Sequence, residues 1–236
     1  MPSATASAPA GAPLTAAGQG AGAVPGLAGR RVGIMGGSFD PVHVAHVALA
    51  ESALIALRLD EVRWVPVGQP WQKARRLATA EHRVAMVERA VAHEPRFTVD
   101  RIEVDREGPS FTLDTVRALQ AAHPDVTEWC LIIGLDQYLN LPTWQGWTEL
   151  LARVTLAVAT REGANLGSQP ACPPELAAQP HRMHPLPMAP HAVSSTDIRT
   201  RLTRGETPES LVPTLLSEGV ARYIANHQLY APGDPR

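Results

Sequence analysis

From Arg30 to Tyr230, short apolar runs alternate with stretches in which apolar residues return every three or four positions, which predicts strand and helix in turn. "RVGIM" reads as a first strand and Val44 to Leu57, rich in Ala and Leu, as the helix after it. "EVRWVPV" is the second strand, and "TAEHRVAMVERAVAHE" a helix with Thr79 as N-cap. "FTVDRIEV" follows as a strand region, and "SFTLDTVRALQAAH" as a helix capped by Ser110. "EWCLIIGLD" and "TLAVAT" are buried strands. After a Pro-rich surface stretch from Pro170 to Pro190 come two helices, one starting near Ser195 and one from Glu218 to Asn226. Strands separated by helices of this length imply right-handed crossovers. The expected fold is α/β, a Rossmann-like doubly wound, mainly parallel sheet with helices on both faces. In such sheets the ligand sits beyond the carboxyl ends of the strands.

Residues 1–29 break this pattern. They carry no charge and consist almost wholly of Ala, Gly, Pro, Ser and Thr, so they lack the apolar surface to fold and are expected to be a disordered tail. An over-early start codon accounts for them as well as any function does. The expected organisation is this tail, one domain over 30–230 and a short C-terminal tail over 231–236.

Composition narrows the partners. A net charge of -2 gives no bulk field for nucleic acid or an anionic membrane, so an anionic ligand must be held locally. No apolar stretch is long enough to span a bilayer, and the N-terminus lacks the basic start and apolar core of a signal peptide. The expectation is a cytoplasmic protein with no nucleic-acid or membrane partner. Its oligomeric state is not legible. Cys130 and Cys172 have no paired spacing and read as two reduced thiols, and the His181 and His184 of "HRMH" have no carboxylate partner and receive no role. No metal site is expected from the protein's own side chains.

Three polar clusters fall where strands end or the last crossover helix begins: "GGSFDPVHVAH", "GLDQYLNLPTWQGW" and "VSSTDIRTRL". They are expected to converge on one cleft. The first has neither the P-loop nor the dinucleotide-binding glycine pattern. Gly36 and Gly37 nonetheless permit a tight turn and a close backbone approach to a ligand. His43 and His46, three residues apart at a helix start, share a face where the dipole favours an anion. Two imidazole donors there suit a transferring phosphoryl group. In the last cluster Ser194 or Ser195 can cap a helix with Arg199 one turn on, and Lys73 in "GQPWQK" adds a charge after the second strand. Asp136, Trp144 and Trp147 bring a carboxylate and loop indoles to the same edge, and an indole there can stack on a flat heterocycle. No Ser-His-Asp or Cys-His arrangement is present. None is needed where the nucleophile is a phosphate already ionised at neutral pH.

These three motifs, with "PSFTLDT" between the first two, resemble those of the bacterial nicotinate-nucleotide adenylyltransferases, within the nucleotidyltransferase superfamily. The resemblance runs from about Arg30 to Tyr230. It implies transfer of AMP from ATP to nicotinate mononucleotide, giving nicotinate adenine dinucleotide and pyrophosphate in NAD biosynthesis, with Mg²⁺ bound mainly through the ATP phosphates. By the resemblance His43 and His46 match the HxGH signature that contacts ATP phosphates. Ser195, Thr196 and Arg199 match the ISSTxIR signature that grips the leaving pyrophosphate, so that His43, His46 and Arg199 carry catalysis. Gly36, Gly37, Ser38, Phe39 and Lys73 join Ser195 and Thr196 around ATP. Thr112, Asp136 and Trp144 match positions lining the nicotinate-nucleotide pocket. Ala45 replaces the usual glycine of HxGH, a change that a helix interior accepts. Gln72 stands where the common PPHK pattern has histidine.

Two other readings remain open: the same ATP half-site serving another acceptor, such as nicotinamide mononucleotide, and a non-catalytic nucleotide-binding module. Phosphopantetheine as acceptor lacks a ring for Trp144 to stack on. A tRNA-synthetase fragment, suggested by "HVAH", fails on length.

Overall fold

The computed structural model describes residues 29–69, 77–161, 172–188 and 193–233. Six strands, Arg30–Gly37 (β1), Glu61–Pro66 (β2), Phe97–Val99 (β3), Val126–Ile133 (β4), Thr155–Arg161 (β5) and Arg182–Met188 (β6), form one sheet in the order β3-β2-β1-β4-β5-β6. Every pairing is parallel. The chain therefore builds outward from β1 on one side, then returns to β1's other edge and builds outward again. That reversal leaves a crevice at the carboxyl ends of β1 and β4, the place where doubly wound sheets receive ligands.

Both faces are covered, which is why the central strands read as unbroken apolar runs. Val32 and Ile34 of β1 and Trp129, Leu131 and Ile133 of β4 face a core shared with the helices Thr112–Ala122 (α3), Leu135–Leu139 (α4) and Trp147–Arg153 (α5). Cys130 and Ile132, one residue out of phase, face the opposite core. Helices Val44–Ala56 (α1), Ala80–Val91 (α2), Ser195–Thr203 (α7) and Glu218–Asn226 (α8) supply that second core. Full burial of one such aliphatic side chain contributes about 1.5–3 kcal/mol. A short helix, Pro174–Ala177 (α6), precedes β6.

Several boundaries differ from the sequence-based expectation. Of "FTVDRIEV" only Phe97–Val99 is strand. Ser110 does not cap α3: the N-cap is Phe111, and Ser110 is buried with its N–H donated to the Gln69 carbonyl. "EWCLIIGLD", read as one strand through Asp136, ends as strand at Ile133, and Gly134 is already the N-cap of α4. The stretch expected as Pro-rich surface contains β6. Pro185 and Pro187 lie two apart on this edge strand, and an edge is where a sheet tolerates a missing N–H. Of the two serines expected to cap the helix near Ser195, Ser194 is the one that does, accepting from the Asp197 N–H.

Candidate active site

At the end of β1, Gly36 and Gly37 open into a tight loop before α1. A Cβ on Gly37 would fall 2.8 Å from the Phe39 ring, so glycine is what lets that ring pass beneath the strand end. Phe39 has φ of 47°, the left-handed region that a bulky residue occupies only when its surroundings hold it there. They do so by burying the ring, tilted 5.4 Å from Trp64 and edge-on 5.2 Å from His46. Its side chain is thus core, and Phe39 can meet a nucleotide only through its main chain.

The loop is held from several elements at once. Arg83 of α2, itself buried, donates Nη1 to Ser38 O, Nη2 to Gly68 O and Nε to Ala78 O. Arg199 of α7 donates Nη1 to Asp40 O at 2.6 Å and Nη2 to Thr196 Oγ1 at 3.0 Å. Ser195 donates its hydroxyl to Pro41 O at 2.9 Å. Val44 N, in the first turn of α1, donates to Leu215 O at 3.1 Å and is spent there. The imidazoles rather than that amide are what α1 offers an anion.

His43 is the N-cap of α1 and is 8% exposed, while His46 is half-buried. Their rings stack at 3.6 Å between centroids, with 22° between planes. The third cluster therefore packs against the first through Asp40 and Pro41, and brings Ser195, Thr196 and Arg199 to the loop that carries the histidines. All the donors here are imidazole, hydroxyl and guanidinium, groups that suit phosphate oxygens.

On the other side of the same loop lies a cavity of about 200 Å³, open at the crevice between β1 and β4. Gly36, Gly37 and Ser38 line it together with Thr112 and Trp144, so the first and second clusters do meet. Asp136 is exposed on α4 and is not among the lining residues, whereas its neighbour Gln137 is. Gly36, Gly37 and Ser38, expected around ATP, face the same space as the two nicotinate-pocket residues. Lys73 and Gln72 lie outside the described residues.

Sequence reasoning missed Glu103, a cavity-lining carboxylate that is 7% exposed. It accepts from Thr115 Oγ1 at 2.8 Å, and its burial pushes its pKa up against the pull of Thr115, Arg106, Ser110 and Arg83. It also missed Arg83 and Asp40. Neither stands in a motif that distinguishes a buried charge from a solvated one. Cys130 is buried, its thiol pushed up to about 12 by desolvation, so it is no nucleophile. His181 Nε2 lies 3.2 Å from Tyr138 Oη, behind the second cluster. Among the described residues no group of three or more His, Cys, Asp or Glu is placed to hold a metal ion, and no helix is long and apolar enough to cross a membrane.

Residues 34–201 match the cytidylyltransferase-like family. The probable nicotinate-nucleotide adenylyltransferase of Methylibium petroleiphilum is 52% identical, the match covering 86% of this chain and 93% of that protein. The chain belongs to the nicotinate-nucleotide adenylyltransferases. A second relative in this family, from Mycobacterium tuberculosis, is 38% identical over 84% of this chain and 91% of its own. The fold agrees as well: a Plasmodium falciparum nicotinic acid mononucleotide adenylyltransferase, solved as a complex with NaAD, superposes with a TM-score of 0.70 at 17% identity, over 85% of this chain and 97% of that one. As a nicotinate-nucleotide adenylyltransferase the chain is an enzyme, a nucleotidyltransferase of NAD biosynthesis, and nucleotides are its substrates.

Proposed function

We propose that the chain joins nicotinate mononucleotide to the AMP portion of ATP, and that the cavity and the histidine loop are the two halves of this reaction. The observation that carries the reading is their adjacency. A cavity with an indole and a helix start on its rim shares the Gly36–Ser38 strand end with a corner built of phosphate donors. The nicotinate ring enters the cavity against Trp144, near the start of α3 at Thr112, and the ATP phosphates lie along His43, His46, Ser195, Thr196 and Arg199. Asp136 is assigned to the first half although it lies outside the cavity lining, and Lys73 is assigned to the second.

A phosphate oxygen of nicotinate mononucleotide attacks the α-phosphorus of ATP in line. The bond from the α-phosphorus to the bridging oxygen breaks, and pyrophosphate leaves with its electron pair. No proton needs removing from the nucleophile, so the rate comes from positioning and from donors aimed at the developing charge. His43 and His46 supply those donors at the transferred group, and Arg199 supplies one to the leaving group. No group of this chain's described side chains is placed to hold a metal ion, so Mg²⁺ would be held by the ATP phosphates and would supply charge neutralisation there. The donor set here fits that division, since imidazole, hydroxyl and guanidinium are groups that donate to phosphate oxygens. The substrates are small molecules of the cytoplasm, and neither nucleic acid nor membrane enters the reaction.

The test is pyrophosphate release with ATP and Mg²⁺, offering nicotinate mononucleotide and nicotinamide mononucleotide in parallel, with His46→Ala as the blank. Fast, His46-dependent release on the nicotinate nucleotide supports the reading. Preference for the nicotinamide nucleotide overturns its acceptor, and release from neither despite ATP binding leaves a nucleotide-binding module.

A further inference from the structure

The reaction as derived makes no use of Glu103. This residue lies in the segment between β3 and α3, is 7% exposed, and lines the cavity that takes the acceptor nucleotide. Of the described residues around that cavity it alone bears a charged group. The others are apolar, hydroxyl, amide or glycine, with the indole of Trp144 among them.

The carboxylate is held in place from two elements. Thr115 Oγ1, early in α3, donates to Glu103 Oε1 at 2.8 Å, and Arg106 Nη1 donates to that Thr115 oxygen at 3.2 Å. The main chain is fixed as well, since a Cβ on Gly68 would collide with the Glu103 carbonyl oxygen, so the segment after β2 is pressed against it. Arg106 and Arg83 pull on the carboxylate electrostatically, but neither of them lines the cavity. A ligand there meets one fixed negative charge and one aromatic face.

That pair of features suits a flat cation. Nicotinate mononucleotide brings one: its ring nitrogen is bonded to the ribose, is therefore quaternary, and spreads a positive charge over the ring. Its phosphate has to reach the histidine loop to attack, so the ring is the end that enters the cavity.

We propose that the Glu103 carboxylate recognises the positive charge of the pyridine ring and so sets which rings the acceptor half admits. The inference rests on the assignment of the cavity to the acceptor nucleotide. Burial disfavours the charged form of Glu103, and a cation beside it restores that form, with any proton still held there released to solvent. In surroundings drier than bulk water such a pair interacts more strongly than it would in solvent. A ring without the charge has nothing to set against the desolvation of the carboxylate.

The test uses the full chain, as parent and as Glu103→Gln, with two acceptors. One is nicotinate mononucleotide, and the other its dihydro form, whose hydride-reduced ring has an uncharged nitrogen but keeps the ribose, phosphate and ring carboxylate. Pyrophosphate release with ATP and Mg²⁺ gives kcat/KM for each. Glutamine retains an oxygen for the Thr115 hydroxyl and loses only the charge. The ratio of the oxidised to the dihydro value should fall roughly five- to hundredfold in Glu103→Gln, with KM for ATP within about twofold of the parent. A smaller fall overturns the proposal: equal losses on the two acceptors would make Glu103 a structural support, or a partner of the ribose hydroxyls that both share. Should Glu103→Gln not fold, Glu103→Asp is read in its place, since it keeps the charge and draws it back by one methylene. A loss on the oxidised nucleotide that exceeds the loss on the dihydro form supports the proposal, and equal losses overturn it. A parent that releases no pyrophosphate with either acceptor overturns the acceptor assignment and this proposal with it, whereas a parent active on nicotinate mononucleotide whose ratio ignores Glu103 overturns this proposal alone.

Discussion

His43 donates its main-chain N–H to Nδ1 of His46 at 3.2 Å while the two rings stack. An Nδ1 that accepts carries no hydrogen, so the neutral His46 ring bears its hydrogen on Nε2 and is a donor there. The loop thus presents His46 as a fixed hydrogen-bond donor rather than as a base. His46→Ala is expected to lower kcat by roughly 10²–10³-fold, the loss seen when one donor to a transition-state oxyanion is removed. Steady-state pyrophosphate release, with circular dichroism to show the fold intact, checks it. Turnover within threefold of the parent would take this imidazole out of the chemistry.

Trp144 lies on the cavity rim, while Arg199 and Ser195 lie beyond the loop, so the two substrates are separable by mutation. Stacking a base on an aromatic side chain contributes about 1–3 kcal/mol. Trp144→Ala should therefore raise KM for nicotinate mononucleotide roughly five- to hundredfold and leave KM for ATP near that of the parent. Initial rates with each substrate varied in turn will tell. A rise confined to ATP puts the indole in the other half of the site.

How much of this was legible in the sequence follows from what each residue's signal depends on. The β1 and β4 strands were readable because a strand covered on both faces needs an unbroken apolar run. Thr79 was readable because its cap is local, the hydroxyl accepting from His82 N three residues on. β6 was hidden because an exposed edge strand needs no such run, and its prolines imitate a loop. Glu103 was hidden for a different reason. Gly68 lies against it beside the Gln69 to Pro109 bridge and Thr115 of α3 bonds its carboxylate, and neither is its neighbour in sequence. The motifs mark the candidate site, but the charges beneath it are a product of tertiary packing.

Arg83 is one such charge. Its guanidinium spends three N–H groups on three carbonyls, one in each of the segments that follow β1, follow β2 and precede α2. Hydrogen bonds to a charged group contribute about 1.5–3 kcal/mol each, and the Ala78 carbonyl left behind would be buried. Arg83→Met should therefore destabilise the fold by about 3 kcal/mol or more, and should slow turnover besides because Ser38 is released. Urea unfolding measures the first effect. A loss below about 1 kcal/mol would mean that water replaces the guanidinium without cost.

Glu103 gives a pH signature of opposite sign to that of an ordinary surface carboxylate. Desolvation raises its pKa above 4.5, so in the window just above that value the folded chain keeps a proton that the unfolded chain has released. The folded state then binds more protons, and stability falls as pH rises from about 4.5 up to the folded pKa. Glu103→Gln keeps an oxygen for the Thr115 hydroxyl but cannot ionise. Relative to the parent, the variant should gain stability as pH climbs through that window, and the gain should level off above it. Urea midpoints for both proteins between about pH 4.5 and 8 test this. Parallel curves would show a carboxyl that titrates as if in water, and would place Glu103 in contact with solvent through the open mouth of the cavity.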